Sequence, residues 1–411
     1  MPETTDQSIA QSLFNFQAAL TQSGSSLESF ISEYYLSKWR GDAMYHVMAI
    51  RTSLINAMQQ FFADEGLFNM ERISMSPVTD PLAHDVEHLP AISYKGHTYV
   101  TTHSMIYAKF LACFNPRLKG IFVDSPNIRL ELESPAGRQR KKYLIDFSQM
   151  DVEVRRNRGV TLEQYYHDTN GVSKILAEDF ERALSFFERM LVRAAEHINA
   201  KNAGDLRALG VRLDVPEIPL PRFYKDEAER RFGKADLERA LGRTVKGQFF
   251  WITGILRENY DLVYPYLRPD GSRVALSEAG SDTIYNYDLC ARALRADGTY
   301  GDAYEVLSGA VREWLYEPII QRLLDNRIIP VRPVFSNGNL ENIDELGGYG
   351  PFITAVKAAD PDGKALFPDT FGGGIGVERT LFTLCAGEKI TKVDDVTLFG
   401  KNPDSHPLYL F

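Results

Sequence analysis

A chain of 411 residues with 44% apolar and 25% charged side chains is ordinary globular material, long enough by length alone for two or three domains, and not a disordered polypeptide. Its 24 Phe and 20 Tyr supply apolar surface for a large core, yet no apolar run reaches the roughly 20 residues of a membrane-spanning helix. The net charge of −9 argues against a chain whose main task is gripping nucleic acid, which calls for a basic face.

The first cation is Lys38, and no apolar run precedes it, so a signal peptide is not expected. Cys113, Cys290 and Cys385 are far apart and odd in number, which predicts reduced thiols in a cytoplasmic protein.

In chain order, Leu13, Phe16, Leu20, Leu27, Phe30 and Tyr34 recur at spacings near three or four, predicting helices over 7–38 with a break at Ser23-Gly24-Ser25-Ser26. A further helix is expected at about 43–62 on Met48, Ile50, Leu54, Met58, Phe61 and Phe62. From residue 73 the texture changes to short strands, among them 91–94 and 98–101 around the turn Lys95-Gly96. Residues 161–200 predict one or two long helices. The stretch 201–246 is charged, contains Pro216, Pro219 and Pro221, and is expected to wrap the surface as an insertion. Strands resume near 248–255, and a helix is expected over about 303–326. The expected fold class is α/β of the α+β type, with a largely antiparallel sheet flanked by helices.

Two stretches carry chemistry. In the first, Arg129, Glu131 and Glu133 alternate with aliphatic residues, the period of a half-buried strand. A second strand over 145–154 alternates in the same way and sets Phe147, Gln149, Asp151 and Glu153 on one face. Between them lies Ser134-Pro135-Ala136-Gly137-Arg138-Gln139-Arg140-Lys141-Lys142, a turn-forming loop with four cations. Paired as a hairpin, the strands would form a polar floor beneath a basic loop. Cations would then neutralise a polyphosphate, Phe147 would offer a face to a base, and carboxylates would hold a metal or an amine. The plainer reading is a solvated sheet face with a charged turn. The second stretch is Phe371-Gly372-Gly373-Gly374-Ile375-Gly376-Val377-Glu378-Arg379, where glycines permit close backbone approach and a helix starting at Val377 would aim Arg379. It lacks the Lys-Ser/Thr end of a P-loop. His84 and His88 sit four apart between prolines, and a loop is expected there rather than a zinc site.

Taken together, Ile73-Ser74-Met75-Ser76-Pro77, Arg129-x-Glu131 with Phe147, and Gly374-x-Gly376-x-Glu378-Arg379 resemble the three motifs of class II aminoacyl-tRNA synthetases, over roughly residues 42–411. Phe147-Ser148-Gln149-Met150-Asp151, Tyr287-Asp288-Leu289 and Glu305-x-x-Ser308-Gly309-x-x-Arg312 are similar to the aspartyl/asparaginyl subgroup. The resemblance implies a helical extension over 1–40 and a catalytic domain over 41–411. It also implies an ATP site of Arg129, Glu131, Lys142, Phe147, Glu305, Gly374, Gly376 and Arg379. Within that site Arg129 and Arg379 would be catalytic, and Asp288 with Glu305 would hold Mg²⁺. Ser104, Lys109, Gln149, Asp151, Ser308 and Arg312 would bind the amino acid, and the two cations Lys109 and Arg312 would favour aspartate. Motif 1 implies a homodimer.

The spelling departs from the family where Met105-Ile106 follow Ser104, where Lys141 and Lys142 replace the usual histidine and arginine, and where residues 291–304 are added. A five-stranded anticodon-binding barrel is not expected before the core, where about 40 residues read as helical. Ser76-Pro77-Val78-Thr79-Asp80-Pro81-Leu82 and Ser125-Pro126-Asn127-Ile128-Arg129-Leu130-Glu131 look like archaeal-type asparagine synthetase. The expectation is an AMP-forming ligase joining aspartate to ammonia or another small amine through aspartyl-adenylate, with tRNA not expected as partner. The alternatives are an aspartyl/asparaginyl-tRNA synthetase-like enzyme that acylates tRNA or a carrier, and a catalytically dead regulatory paralogue.

Overall fold

The computed structural model describes residues 26, 29, 35–78, 90–129, 141–255, 262–275, 281–361 and 364–400. Residues 130–140, which include Glu131, Glu133 and most of the basic loop, His84, His88 and nearly all of the expected helices over 7–38 lie outside the described residues. Among the described residues no helix is long and apolar enough to cross a membrane.

Helix α1 (Asp42–Asp64) follows from its apolar spacing, which buries Val47, Ile50, Leu54, Met58, Phe61 and Phe62. Just before it, Trp39 donates its indole N–H to the carbonyl of Leu398 at 2.9 Å, tying the start of the described chain to its end. The expected hairpin forms between Ala91–Tyr94 and His97–Thr101, with Lys95 and Gly96 both at positive φ in the turn. Helix α2 (Ile106–Ala112) comes next, and Ser104 Oγ accepts the N–H of Ile106 at its start.

The long helical region resolves into α3 (Leu162–His167) and α4 (Thr169–Leu209). Thr161 and Gln164 form a capping box on α3, and Asp168 caps α4 by accepting the N–H of Gly171. Gly210, at φ 74°, ends α4 in the left-handed conformation that glycine adopts without steric cost.

Eight strands build the central sheet: β1 (Phe68–Asn69), β2 (Gly120–Ile128), β3 (Asp146–Arg155), β4 (Arg222–Tyr224), β5 (Phe249–Thr253), β6 (Asn286–Ala291), β7 (Tyr304–Val311) and β8 (Thr370–Gly376). Their spatial order is β1-β2-β3-β8-β7-β6-β5-β4. The two edge pairs, β1 with β2 and β4 with β5, are parallel, and every inner pair is antiparallel. Among the described residues no sheet closes into a barrel.

One face of this sheet meets α1 and α4. Met150, Val152 and Val154 of β3 lie in a core shared with Phe62, Phe186 and Phe187, and the Phe62 and Phe186 rings stack at 5.9 Å. The other face carries the polar residues of the candidate site.

The structure corrects two expectations. Residues 304–311 form a central strand rather than the first half of a helix, and only Tyr316–Asp325 is helical (α7, after α5 and α6 below). The glycine-rich stretch is the inner strand β8, and it runs straight into the later helix Val377–Cys385. Residues 201–246 complete α4 and then form α5 (Lys225–Phe232) and α6 (Leu237–Gly242). Leu237, Leu241 and Val245 pack with Phe250, Ile252, Cys290 and Ala303, so this segment covers the β5–β6 end of the sheet instead of only wrapping the outside.

Candidate active site

The floor of the site is set by strand register. Directly paired residues share a face of the sheet, so the pairs Val123–Asp151, Asp151–Gly374, Gly374–Ser308 and Ser308–Asp288 run as one row across five strands. The neighbouring rows bring in Gln149 opposite Gly376 and Glu153 opposite Gly372. On β8 this face carries glycine at 372, 374 and 376. A Cβ at Gly372 would strike the Glu153 carboxylate and the Val152 carbonyl, and one at Gly374 would press on Asp151 and Gln149. The glycines therefore give room to the side chains of β3, which lean across β8 toward β7.

Beside this floor sits a buried charge cluster. Lys109, on α2, places Nζ 2.7 Å from Asp151 Oδ1 and 3.9 Å from Glu153 Oε2. Arg312 donates from Nε to Glu153 Oε1 at 3.3 Å, and Thr370 donates its hydroxyl to the same oxygen at 2.7 Å. Lys109, Asp151, Glu153 and Arg312 are all buried. Two cations thus face two carboxylates, so the cationic excess inferred from Lys109 and Arg312 alone is balanced within the protein. Asp151 Oδ2 is buried without a hydrogen-bond partner among the described residues.

At the other end lie the residues expected to meet a nucleotide. Arg129 continues β2, donating its N–H to the Ile145 carbonyl, and its guanidinium lies 5.1 Å from the centre of the Phe147 ring. Its Nε donates to the His103 carbonyl at 3.0 Å. Helix α9 (Val377–Cys385, following α8, Gly350–Lys357) starts on the last glycine of β8. Glu378, in its first turn, accepts the Ser148 N–H at 2.9 Å and meets Arg51 at 3.4 Å, which fixes the helix start against β3. Burial raises the Glu378 carboxyl above the ordinary glutamate range, and these hydrogen bonds only partly offset it. Arg379 then points Nη1 at Glu305 Oε1, 3.2 Å away, with its guanidinium 5.5 Å from the Tyr143 ring.

Glu305 and Asp288 come to one face through a β-bulge. The register between β6 and β7 shifts between Leu289 and Cys290, so Cys290 pairs with Glu305 while Asp288 pairs with Ser308. One extra residue on β7 turns Glu305 to the side already occupied by Ser308. The Cys290 thiol is pushed well above its usual range by burial first, and then by the Glu238, Asp288 and Glu305 carboxylates around it. Oxygen donors of this kind suit a hard divalent cation.

Lys142 is nearly buried and lies 3.2 Å from Glu238 Oε1 on α6. Among the described residues the structure therefore brings Lys109, Gln149, Asp151, Ser308 and Arg312 to one floor, with Ser104 Oγ accepting the Ile106 N–H at the start of α2. It brings Phe147 and Arg129 together, and Arg379 and Glu305 together. Sequence reasoning left out Glu153, Glu238, Tyr143 and Thr370 as site residues. The alternation that selected Asp151 also put Glu153 on its face, but nothing local pointed to the other three.

No protein-family model matches the chain. The fold is similar to that of solved asparaginyl-tRNA synthetases, as the motifs led one to expect. The asparaginyl-tRNA synthetase of Pyrococcus horikoshii, complexed with asparaginyl-adenylate, matches with a TM-score of 0.59 at 17% identity, covering 93% of this chain and 74% of that one. The Entamoeba histolytica asparaginyl-tRNA synthetase complex matches at 0.61 with 14% identity, covering 92% and 71%. In sequence, the aspartate–tRNA(Asp) ligase of Thermococcus kodakarensis is 21% identical over 287 residues, 69% of this chain and 57% of the relative. That of Pyrococcus furiosus is 19% identical over 366 residues, 88% of this chain and 69% of the relative. The chain thus spans less than two thirds of the length of the Thermococcus relative.

Proposed function

We propose that this chain is an AMP-forming ligase that activates the carboxylate of aspartate with ATP. The observation that carries this reading is Asp151, which spends one oxygen on Lys109 and keeps the other buried without a partner among the described residues. A buried, unsatisfied carboxylate oxygen costs about 1–3 kcal/mol, and a substrate ammonium would satisfy it. Gln149 stands beside Asp151 to share that group, and Lys109 with Arg312 would hold the substrate's non-reacting carboxylate. The four buried charges already sum to zero, so binding is selective by hydrogen-bond geometry more than by net charge.

In the proposed reaction a carboxylate oxygen of aspartate attacks the α-phosphorus of ATP, the bond to the β-phosphate oxygen breaks, and pyrophosphate leaves. Arg129 would stabilise the charge that develops on the α-phosphate, and Arg379 with Phe147 would hold the adenine. Asp288 and Glu305 would hold Mg²⁺, which supplies charge neutralisation for the phosphates. An acceptor amine or hydroxyl then attacks the acyl carbon, and AMP departs. Exposed Met75, Ile92 and Tyr94, on the small sheet that Met75–Ser76 forms with Ala91–Tyr94 and His97–Thr101, support the homodimer that the resemblance implies.

Two acceptors have support. The curated relatives are aspartate–tRNA ligases, which favours tRNA. The spelling of residues 76–82 and 125–131 favours ammonia, with asparagine as product. One experiment tests the activation and separates the acceptors: aspartate-dependent exchange of labelled pyrophosphate into ATP, followed by incubation with ¹⁵N-ammonium or with tRNA. Exchange with labelled asparagine selects ammonia, and exchange with aspartyl-tRNA selects tRNA. Absence of aspartate-dependent exchange overturns the proposal.

A further inference from the structure

We infer that Glu238 on α6 is a latch that holds Lys142 away from the nucleotide, so that ATP binds only by taking this lysine from a carboxylate of the protein. The inference rests on the adenylate-forming reading above. Helix α6 lies on the same face of the sheet as the site, because Ile252 pairs with Asp288, Phe250 pairs with Cys290, and both pack in the cluster that contains Leu237 and Leu241.

The segment is held firmly in that place. Arg292, at the end of β6, donates to the carbonyls of Gly242, Val245 and Gly247, and its guanidinium stacks 3.7 Å from the Tyr300 ring. Glu238 is thereby presented from a rigid wall to Lys142, 3.2 Å away, where the chain returns from the basic loop into β3. The lysine side chain is 7% exposed and the glutamate 20% exposed, so the pair is poorly screened by solvent.

The same neighbourhood contains Asp288 and Glu305, and Arg379 is itself held by Glu305. Before nucleotide arrives, Lys142 and Arg379 are thus each engaged by a carboxylate of the protein. An arriving triphosphate exchanges the partner of Lys142, whose ammonium turns to phosphate oxygens, while Asp288 and Glu305 would hold the accompanying divalent ion. Departure of pyrophosphate restores the original pair. The latch weakens ATP binding by the fraction of time that Lys142 is held, and it speeds loss of the polyphosphate product. Glu238 acts through Lys142 and is a positioning residue.

The test is equilibrium binding of MgATP to the full chain, by calorimetry without amino acid, for wild type, Glu238→Gln, Lys142→Met and the double variant. Glutamine keeps the size of the side chain and leaves the Leu237 and Leu241 packing intact. The expected result is about fivefold tighter ATP binding by Glu238→Gln, absent when Lys142 is already methionine, with the aspartate KM unchanged. Equal affinity of Glu238→Gln and wild type overturns the latch while leaving the adenylation reading in place. Weaker binding also overturns it, and makes Glu238 part of the metal site instead. Failure of the wild type to bind ATP overturns both readings together. Glu238→Asp, which shortens the reach to Lys142 while retaining charge, is expected to bind with intermediate affinity; affinity equal to wild type counts against a contact set by distance.

Discussion

Glu153 connects two buried cations, Arg312 and Lys109. It accepts from Arg312 and Thr370 and lies near Lys109. Removing one member of a buried ionic set leaves charge uncompensated, which costs more than the intact set contributes. Glu153→Gln is therefore expected to lose about 3 kcal/mol of stability by urea denaturation. Its aspartate KM should rise while its ATP KM stays near wild type, because the nucleotide residues lie along the floor at Phe147 and Arg379. Unchanged stability would show that Lys109 and Asp151 suffice as a pair. Arg129 has a different kind of role. With its guanidinium over Phe147, it would bear on charge that exists only as the phosphate is attacked. Arg129→Ala should lower the rate of pyrophosphate exchange by about 10²–10³-fold, as loss of a preorganised donor does. A loss confined to KM would assign it to ground-state binding instead.

Strand β8 shows what an element does that its residues alone do not announce. Glycine is a poor strand former, because it loses more backbone entropy and packs no side chain. Here its cost is offset by the side chains of β3 that fill the vacant space. Gly372→Ala would drive a methyl group into Glu153 and the Val152 carbonyl. We expect about 1–3 kcal/mol of destabilisation from this overpacking, read as a lower midpoint in thermal unfolding. A neutral alanine would mean that Glu153 can swing aside. Helix α9 depends on the strand in turn, since Glu378 anchors its first turn to Ser148 and so directs Arg379.

Strand β3 was legible from the two-residue period of Gln149, Asp151 and Glu153, and α1 from its apolar spacing; the alternation at Arg129, Glu131 and Glu133 begins past the end of β2 and runs outside the described residues. Strand β7 was not. Glu305, Ser308 and Arg312 stand three and four residues apart, the spacing of one helical face. In the sheet, Ser308 and Arg312 share a face because their separation is even, and the bulge adds Glu305. A bulge is a mismatch between two strands, so no pattern within one strand reveals it.

At the scale of the whole molecule, buried charge makes stability depend on pH. Glu313 follows β7 and is fully enclosed. Its Oε1 accepts the N–H groups of Trp314 and Leu315, while Oε2 has no partner among the described residues. Burial raises its carboxyl above the ordinary value of 4.5, against the opposing pull of Arg322, the two N–H groups and Arg156. The native state therefore keeps this proton to higher pH than the unfolded chain does. Where a native pKa is raised, the native state binds more protons in that window, and stability falls as pH rises through it. Glu378, raised for the same reason, adds to the slope. We expect the unfolding free energy of Glu313→Gln to fall less than that of wild type as pH is raised upward from about 5. Parallel curves would mean that Arg322 and Arg156 already keep Glu313 ionised throughout.

What the sequence by itself determined is the kind of fold and the candidates for the site. Each belongs to a short motif whose period, glycines or charges have a local physical meaning. What only the tertiary structure decided is how those residues are paired. Lys109 and Arg312 look like spare cations along the chain, but folding sets them against Asp151 and Glu153. Lys142 meets Glu238, 96 residues later in the chain and in a segment whose charge suggested only solvent. The physical reason is that electrostatic pairing depends on distance in space, and strand register and helix docking bring together groups that no local period relates.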